Sequence, residues 1–313
     1  VTSGLYPPGS TFKPVTALAA MQEHILAPYD SIQCTGQVTL FKQRFDNWNP
    51  YVDEPMTLPT ALAESCDTYF YELGKRFYSL PPERGQPLQI WANRFGFGKA
   101  TGLDVGSEGS GLVPTFKWKK DTFTAEIDRI WKPGDSIQLA IGQKDLQVTP
   151  LQMARFYALI ANGGKLVTPH VVQAVQQGDA RGGPTGPLTL RRFSPPPQEV
   201  ALDRAALDVV RDGLYQATHS TNGTSSTIFG HFPVPIAGKT GTAERVIDVG
   251  DYSTLMDTSW WCGYGPSHAA ELVVCAVIEN GGFGGEAAAP AALRVFESYF
   301  GKEAGLVQTA EAD

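Results

Sequence analysis

The chain has 313 residues, enough for one large domain or two ordinary ones, with 42% hydrophobic and 18% charged residues as a packed globular core requires. A formal net charge of −7 provides no electrostatic footprint for nucleic acid or anionic lipid, so no nucleic-acid partner is expected. No stretch approaches the ~18 consecutive apolar residues of a membrane span, and no signal peptide opens the chain. It starts abruptly inside what reads as structure, as an excised domain would.

Pro7, Pro8 and Gly9 stop regular structure, and a helix is predicted from about Ser10 to Gln22. A turn-rich, aromatic stretch from Pro28 to Pro55 holds short strand-like runs such as QVTLF. In TLPTALAESCDTYFYELGKRFY, Thr57 reads as an N-cap and Leu58, Ala61, Leu62, Tyr69, Phe70 and Leu73 recur at helical spacing. Ser65 and Asp67 interrupt the apolar pattern, which predicts a break between two helices. LQIWANRFGFG is a short helix stopped by Gly96 and Gly98, and residues 99–135 read as loop. Thr149, Pro150 and Gly163-Gly164 delimit a further helix. ARGGPTGPLTLRRFSPPPQ reads as a surface loop or edge hairpin, and ALDRAALDVVRDGLYQAT as an amphipathic helix. PIAGKTGTAERVI, DTSWWCGYGP and ELVVCAVIEN read as strands of a mostly antiparallel sheet, with a closing helix from roughly Ala288 to Tyr299. The class is α/β (α+β): an antiparallel sheet flanked by helices, with a mainly helical part between.

The four cysteines, Cys34, Cys66, Cys262 and Cys275, are too few and scattered for a disulfide scaffold and form no C-x-x-C pair. They read as small buried apolar residues, mostly reduced. His24, His170, His219, His231 and His268 are dispersed, so neither a metal nor another cofactor is expected.

Ser10 and Lys13 place a hydroxyl and an amine on one face of a helix's first turn, a nucleophile beside its base. The bland reading is an N-cap with a solvated lysine, and S-x-x-K alone is expected about once by chance in such a chain. Lys239-Thr240-Gly241-Thr242 heads a strand. Lys239 offers a positive charge, Thr240 and Thr242 offer hydroxyls, and Gly241 lets a ligand approach the edge, a combination suited to a carboxylate. Alone it could be an ordinary strand end. Ser65-Cys66-Asp67 is the weakest element, since a Ser and Asp there are more often a capping pair. The three in order, 55 and 174 residues apart, form the set known from penicillin-binding proteins and class A β-lactamases.

With YPPGSTFKP, SCDTYFYELG, GDSIQLAIGQ, TPLQMA, ANGG and AGKTGTAE, the chain resembles, over nearly its whole length, the transpeptidase domain of class B penicillin-binding proteins. SCDTYFYELG is most similar to the elongation-type members, penicillin-binding protein 2. The resemblance implies a serine β-lactamase/D,D-peptidase-like fold in one domain over 1–313. Residues of about 23–225 would form the helical part, and 1–22 and 226–313 the sheet part. It implies a D,D-transpeptidase that cross-links peptidoglycan stem peptides and is acylated by β-lactams. Ser10 then matches the acylated serine, Lys13 its proton acceptor and Ser65 the relay to the leaving amine. Lys239, Thr240, Gly241 and Thr242 match the carboxylate site, and the N–H groups of Ser10 and Thr242 the oxyanion hole. The implied setting is extracytoplasmic, with a membrane anchor, a pedestal and two sheet strands upstream of this chain. The implied partner is a glycosyltransferase of the elongation machinery. In an oxidising compartment Cys34 and Cys66 could pair.

Burial and the charge of Lys239 are expected to push the Lys13 pKa down, as a base requires. Asp67 stands where many relatives have Asn. If ionised it opposes that shift; otherwise it is a helix cap with little bearing on Lys13. The rival readings are a serine β-lactamase or β-lactam sensor, a D,D-carboxypeptidase, and a non-catalytic module of the same fold. Asp67, the absence of an E-x-x-L-N stretch after Ser65 and the long interval before Lys239 favour the transpeptidase.

Overall fold

The computed structural model describes residues 1–178, 184–192, 195–249 and 252–304. A 3-10 turn, Gly9–Phe12, runs directly into helix α1, Lys13–Gln22. The expected single helix thus opens on a tighter turn: Pro14, with no N–H, cannot make the α-type bond back to Ser10. Four short strands follow, β1 (Ile32–Thr35), β2 (Gln37–Leu40), β3 (Gln43–Asp46) and β4 (Asp53–Met56), paired β1 with β4 and β2 with β3, both antiparallel. Then come α2 (Leu58–Ala63), α3 (Asp67–Tyr78), α4 (Pro87–Arg94), α5 (Phe116–Thr122), α6 (Glu126–Arg129), α7 (Pro133–Ala140) and α8 (Pro150–Asn162). Strands β5 (Lys165–Leu166), β6 (Ala174–Gly178), β7 (Pro184–Arg192) and β8 (Gln198–Glu199) lead to α9 (Arg204–His219) and α10 (Ser226–Phe229). The chain closes with β9 (Ala237–Val249), β10 (Tyr252–Gly265), β11 (Leu272–Ile278) and α11 (Ala288–Phe300).

The principal sheet has the order β11-β10-β9, antiparallel throughout. Its two faces are separated at Trp260 and Trp261, both fully buried. Trp260 joins the main core with Phe12, Val15, Leu18, Phe70 and Phe156. Trp261 turns to the other face, against Phe229 and Phe296 beneath α11. A strand alternating sides every residue needs one large apolar group for each face, and the adjacent tryptophans supply both.

Three sequence readings are corrected. Residues 99–135 are not all loop: α5 is capped by Thr115, whose side chain accepts from Trp118 N at 3.0 Å. FKWKKDT lacks an apolar stripe because its buried residue is Lys119, ion-paired at 2.5 Å to buried Asp135. Thr57 holds the N-cap position of α2 but its side chain makes no cap bond. All four cysteines are oxidised, Cys34–Cys66 and Cys262–Cys275. The second pair sits directly opposite in the β10–β11 register, Cα atoms 4.1 Å apart. The first ties β1 to the N-cap residue of α3. The edge-hairpin reading covers β6–β7, except where it falls on 179–183 and 193–194, outside the described residues.

Thiol titration of the unfolded, unreduced protein is accordingly expected to count no free thiol. Reduction should lower stability to urea by about 2–4 kcal/mol per structural bridge. A count of two or four would contradict the pairing.

Candidate active site

Ser10 lies in the 3-10 turn, where backbone meets backbone with no room for side chains. Gly9 has φ +54°, and a Cβ there would stand 2.4 Å from Thr242 O. Gly142, φ +75°, would place one 2.2 Å from Gly9 O, and Gly9 N donates to Gly142 O at 2.9 Å. A Cβ on Gly241 would meet Pro8 O at 2.8 Å. The side chain missing at Gly241, read above as room for a ligand, is therefore used first by the chain itself. Three segments far apart in sequence are clamped around Ser10, which is half-buried and faces a cleft of 480 Å³.

Lys13 is fully buried below it. Its Nζ donates to Ser65 O (2.7 Å), Ser65 Oγ (3.2 Å) and Asp67 Oδ1 (2.7 Å), and lies 5.4 Å from the Phe70 ring centre. These three acceptors use every proton of an ammonium, and Nζ makes no hydrogen bond to Ser10 Oγ. A neutral amine keeps two protons for two acceptors and gains a lone pair for the serine proton. Burial drives the Lys13 pKa below its usual value, and the Asp67 charge and hydrogen bond partly oppose this.

Ser65 and Asp67 reach Lys13 because α2 and α3 are separate helices, as the polar break predicts. Ser65 sits between them at φ +58°, a left-handed backbone that costs a non-glycine residue about 1–2 kcal/mol. Cys66 is the N-cap of α3, and its Sγ accepts from Tyr69 N at 3.3 Å. Asp67 is thus the first helical residue, and its carboxylate caps no amide of α3. Its Oδ1 takes Lys13 and its Oδ2 takes Trp48 N at 3.0 Å, while its own N–H donates to Asn47 Oδ1 at 2.7 Å.

The strand head carrying Lys239–Thr242 forms the opposite wall. Thr242 O accepts from Gln143 Nε2 at 3.1 Å, so it points away from β10. In a strand the N–H and C=O of one residue project the same way, so the Thr242 N–H faces this free edge. The Ser10 N–H, in the opening turn of its helix, has no acceptor among the described residues. Thr240, Gly241 and Thr242 line the cleft together with Ser10, Ser65 and Asp67. Lys239 does not: it is fully buried behind the strand, its Nζ on Thr240 O (3.1 Å) and Thr240 Oγ1 (3.4 Å). Burial, and then the charge of Lys13, hold its pKa well below the ordinary lysine value. Tyr71, also lining the cleft, has its phenol pushed up by burial with Asp67, Asp46 and Glu244 adding, so it stays protonated.

The structure therefore gathers every residue singled out from the three motifs at one place, with Lys239 behind its wall. Sequence reading missed Asn47, Trp48, Gln143 and Thr224. Each acts through hydrogen bonds to distant segments, and no local pattern marks such a residue.

Residues 1–297 match the family model described as the penicillin binding protein transpeptidase domain, and the chain belongs to that family. It is 33% identical over 308 residues to the peptidoglycan D,D-transpeptidase MrdA of Haemophilus influenzae, covering 95% of this chain and 45% of that one. The solved structure of Pseudomonas aeruginosa PBP2 in complex with WCK 5153 matches with a TM-score of 0.80 at 33% identity, over 100% of this chain and 65% of that one. PBP2 of Helicobacter pylori, solved in complex with MreC, matches with a TM-score of 0.76 at 25% identity, over 96% and 51%. The chain thus spans about half the length of the curated relative. The fold is that of the penicillin-binding protein transpeptidases.

Two substitutions test the geometry around Lys13. Ser65→Gly relieves the left-handed backbone and Ser65→Ala does not, so in urea unfolding the glycine variant should be more stable than the alanine variant by about 1 kcal/mol. Equal stabilities would show that the strain is absent. Asp67→Asn removes a charge that raises the Lys13 pKa, so neutral Lys13 appears at lower pH. Wherever acylation needs that neutral amine, its rising limb in a pH–rate profile should move to lower pH. An unshifted limb would mean that Asp67 does not set the state of Lys13.

Proposed function

We propose that this chain is the catalytic domain of a serine-type peptidoglycan D,D-transpeptidase. The observation that carries the reading is the buried Lys13 amine, which joins the Ser10 turn to Ser65 and Asp67 directly beneath a strand edge with a free N–H.

On this reading Ser10 Oγ attacks the scissile amide carbon of a donor stem peptide, and its proton passes to neutral Lys13 Nζ. The N–H groups of Ser10 and Thr242 hold the oxyanion; removing such a donor typically slows a reaction by about 10²–10³-fold. Lys13 passes the proton through Ser65 Oγ to the departing amine, the C–N bond breaks, and the acyl group remains on Ser10 as an ester. The amine of a second stem peptide then attacks that ester. Its proton returns by the same route to Ser10 Oγ, leaving a new amide and free enzyme. Thr240, Gly241 and Thr242 line the place of the donor carboxylate, the Thr242 hydroxyl donating to it, Gly241 giving access to the edge and Lys239 supplying charge from behind. A β-lactam presents the same amide and carboxylate, but its leaving group stays tethered after ring opening, so it blocks the second step.

Where this chemistry is cell-wall cross-linking, it takes place on the outer side of the cytoplasmic membrane, the full-length protein being membrane-anchored. Two disulfides fit that oxidising setting. A glycosyltransferase of the elongation machinery is a partner through regions beyond this chain. The Helicobacter pylori relative is solved in complex with MreC, and a protein of that type is a second partner on this reading.

The test is intact-mass spectrometry over time after adding benzylpenicillin. A long-lived adduct on Ser10, abolished in Ser10→Ala with unfolding stability changed by less than about 0.5 kcal/mol, is the expected outcome. Rapid loss of the adduct would make the protein a β-lactamase, and labelling that persists in Ser10→Ala would reject Ser10 as nucleophile.

A further inference from the structure

The position of Lys239 raises a question that the proposed reaction leaves open. A charge meant for a substrate carboxylate sits fully buried, outside the lining of the cleft. Its Nζ reaches Thr240 Oγ1 at 3.4 Å, and Thr240 Oγ1 donates to Thr224 Oγ1 at 2.8 Å. In this arrangement Thr240 Oγ1 accepts from Lys239 and gives its single proton to Thr224. Thr224 Oγ1 is then an acceptor on that side, and its own proton has no acceptor among the described residues. Thr224 lines the cleft together with Ser10 and Thr242. Hydrogen bonds in such a row polarise one another, so the last hydroxyl is a stronger donor than an isolated threonine.

Thr224 is also held rigidly. Its N–H donates to Ala63 O at 3.1 Å, at the end of α2 just before Ser65. The next residue, Ser225, is fully buried and its N–H donates to Ala217 O at 2.9 Å. A Cβ on Gly285 would stand only 3.2 Å from Thr224 O, so the facing loop closes against it. No motif contains Thr224, yet the fold presents its hydroxyl between the Ser65 wall and the strand edge.

We propose that Thr224 is a substrate-binding residue, the terminal donor through which the Lys239–Thr240 pair grips the carboxylate of the donor peptide. The proposal rests on the acyl-transfer reading above and adds to the carboxylate site a residue from outside the strand. Its role is selective for an anionic ligand. A merely structural Thr224, tying the loop before α10 to β9, would affect all ligands alike.

The experiment measures the acylation rate constant of Ser10 by benzylpenicillin and by its methyl ester, in wild type, Thr224→Val and Thr224→Ser. Valine keeps the shape and removes the hydroxyl; serine keeps the hydroxyl. Loss of a hydrogen bond to a charged group predicts a roughly 10- to 150-fold slower reaction of Thr224→Val with benzylpenicillin, against less than about threefold with the ester. Thr224→Ser should stay within about threefold of wild type for both ligands. Equal losses with acid and ester in Thr224→Val, or no loss with the acid, overturns the proposal. A Thr224→Ser variant as slow as the valine variant also overturns it. A wild-type protein that neither ligand acylates would instead defeat the transpeptidase reading itself, and this inference with it.

Discussion

A lysine amine with no exposed surface cannot be left without acceptors, and much of the site follows from meeting that demand at Lys13. The acceptors come from one short connection, Ser65 to Asp67, so α2 has to end and α3 has to begin there. Presenting Ser65 O and Ser65 Oγ to the same nitrogen takes a left-handed backbone that serine adopts only at a cost. The neighbouring residue is fastened to β1 by the Cys34–Cys66 bridge, and the next has its N–H held by Asn47. Strain at Ser65 is thus offset by a covalent tie, a buried side-chain acceptor and the lysine itself. The same arrangement leaves Asp67 one oxygen for Lys13 and one for Trp48 N, which fixes the carboxylate in a single orientation.

The other half of the site depends on the absence of side chains. Gly9, Gly142 and Gly241 let the Ser10 turn, the end of α7 and the edge of β9 approach to backbone contact. Gln143, one residue beyond Gly142, then reaches Thr242 O and orients the strand edge. Trp260 Nε1 adds a bond at 3.1 Å to Pro7 O, so the sheet also holds the segment that enters the turn. A nucleophile placed by contacts of this kind does not depend on flexible side chains, which is what a fixed oxyanion site requires.

What was legible in the sequence was local. Pro7-Pro8-Gly9, the cap at Thr149 and Pro150, and the long apolar strands are short-range signals, and the three motifs stand in recognisable order. What was illegible depends on segments meeting in space. Cys34 and Cys66 could be named as a possible pair, but nothing in either sequence neighbourhood decides that it forms, and Cys262–Cys275 was not anticipated. FKWKKDT hides a helix because its inward residue is a charged Lys119, satisfied by Asp135 from α7. Asp67 read as a cap or as a charge, the cap being the commoner case, and the placement of Cys66 at the N-cap and of Lys13 within 2.7 Å decides between them. Asn47, Gln143 and Thr224 each make one decisive bond that no periodicity announces.

The two buried lysines of the site, Lys13 and Lys239, share one nearby carboxylate, and that imbalance bears on how a base can exist there. Lys13 holds Asp67 directly, while Lys239 feels Lys13 as a repulsive charge and Asp67 as a weaker attraction. Two such groups titrate as a coupled pair, so the state of one sets the cost of charging the other. On the proposed reading, a substrate carboxylate arriving at Thr240, Thr242 and Thr224 brings a second negative charge to the Lys239 side. The proton then favours Lys239, and its charge opposes protonation of Lys13. Binding the anionic end of the donor peptide would in this way help to free the Lys13 lone pair when Ser10 is in place to attack. The carboxylate site and the base are thus two parts of one electrostatic arrangement, joined through the β9 edge that separates them.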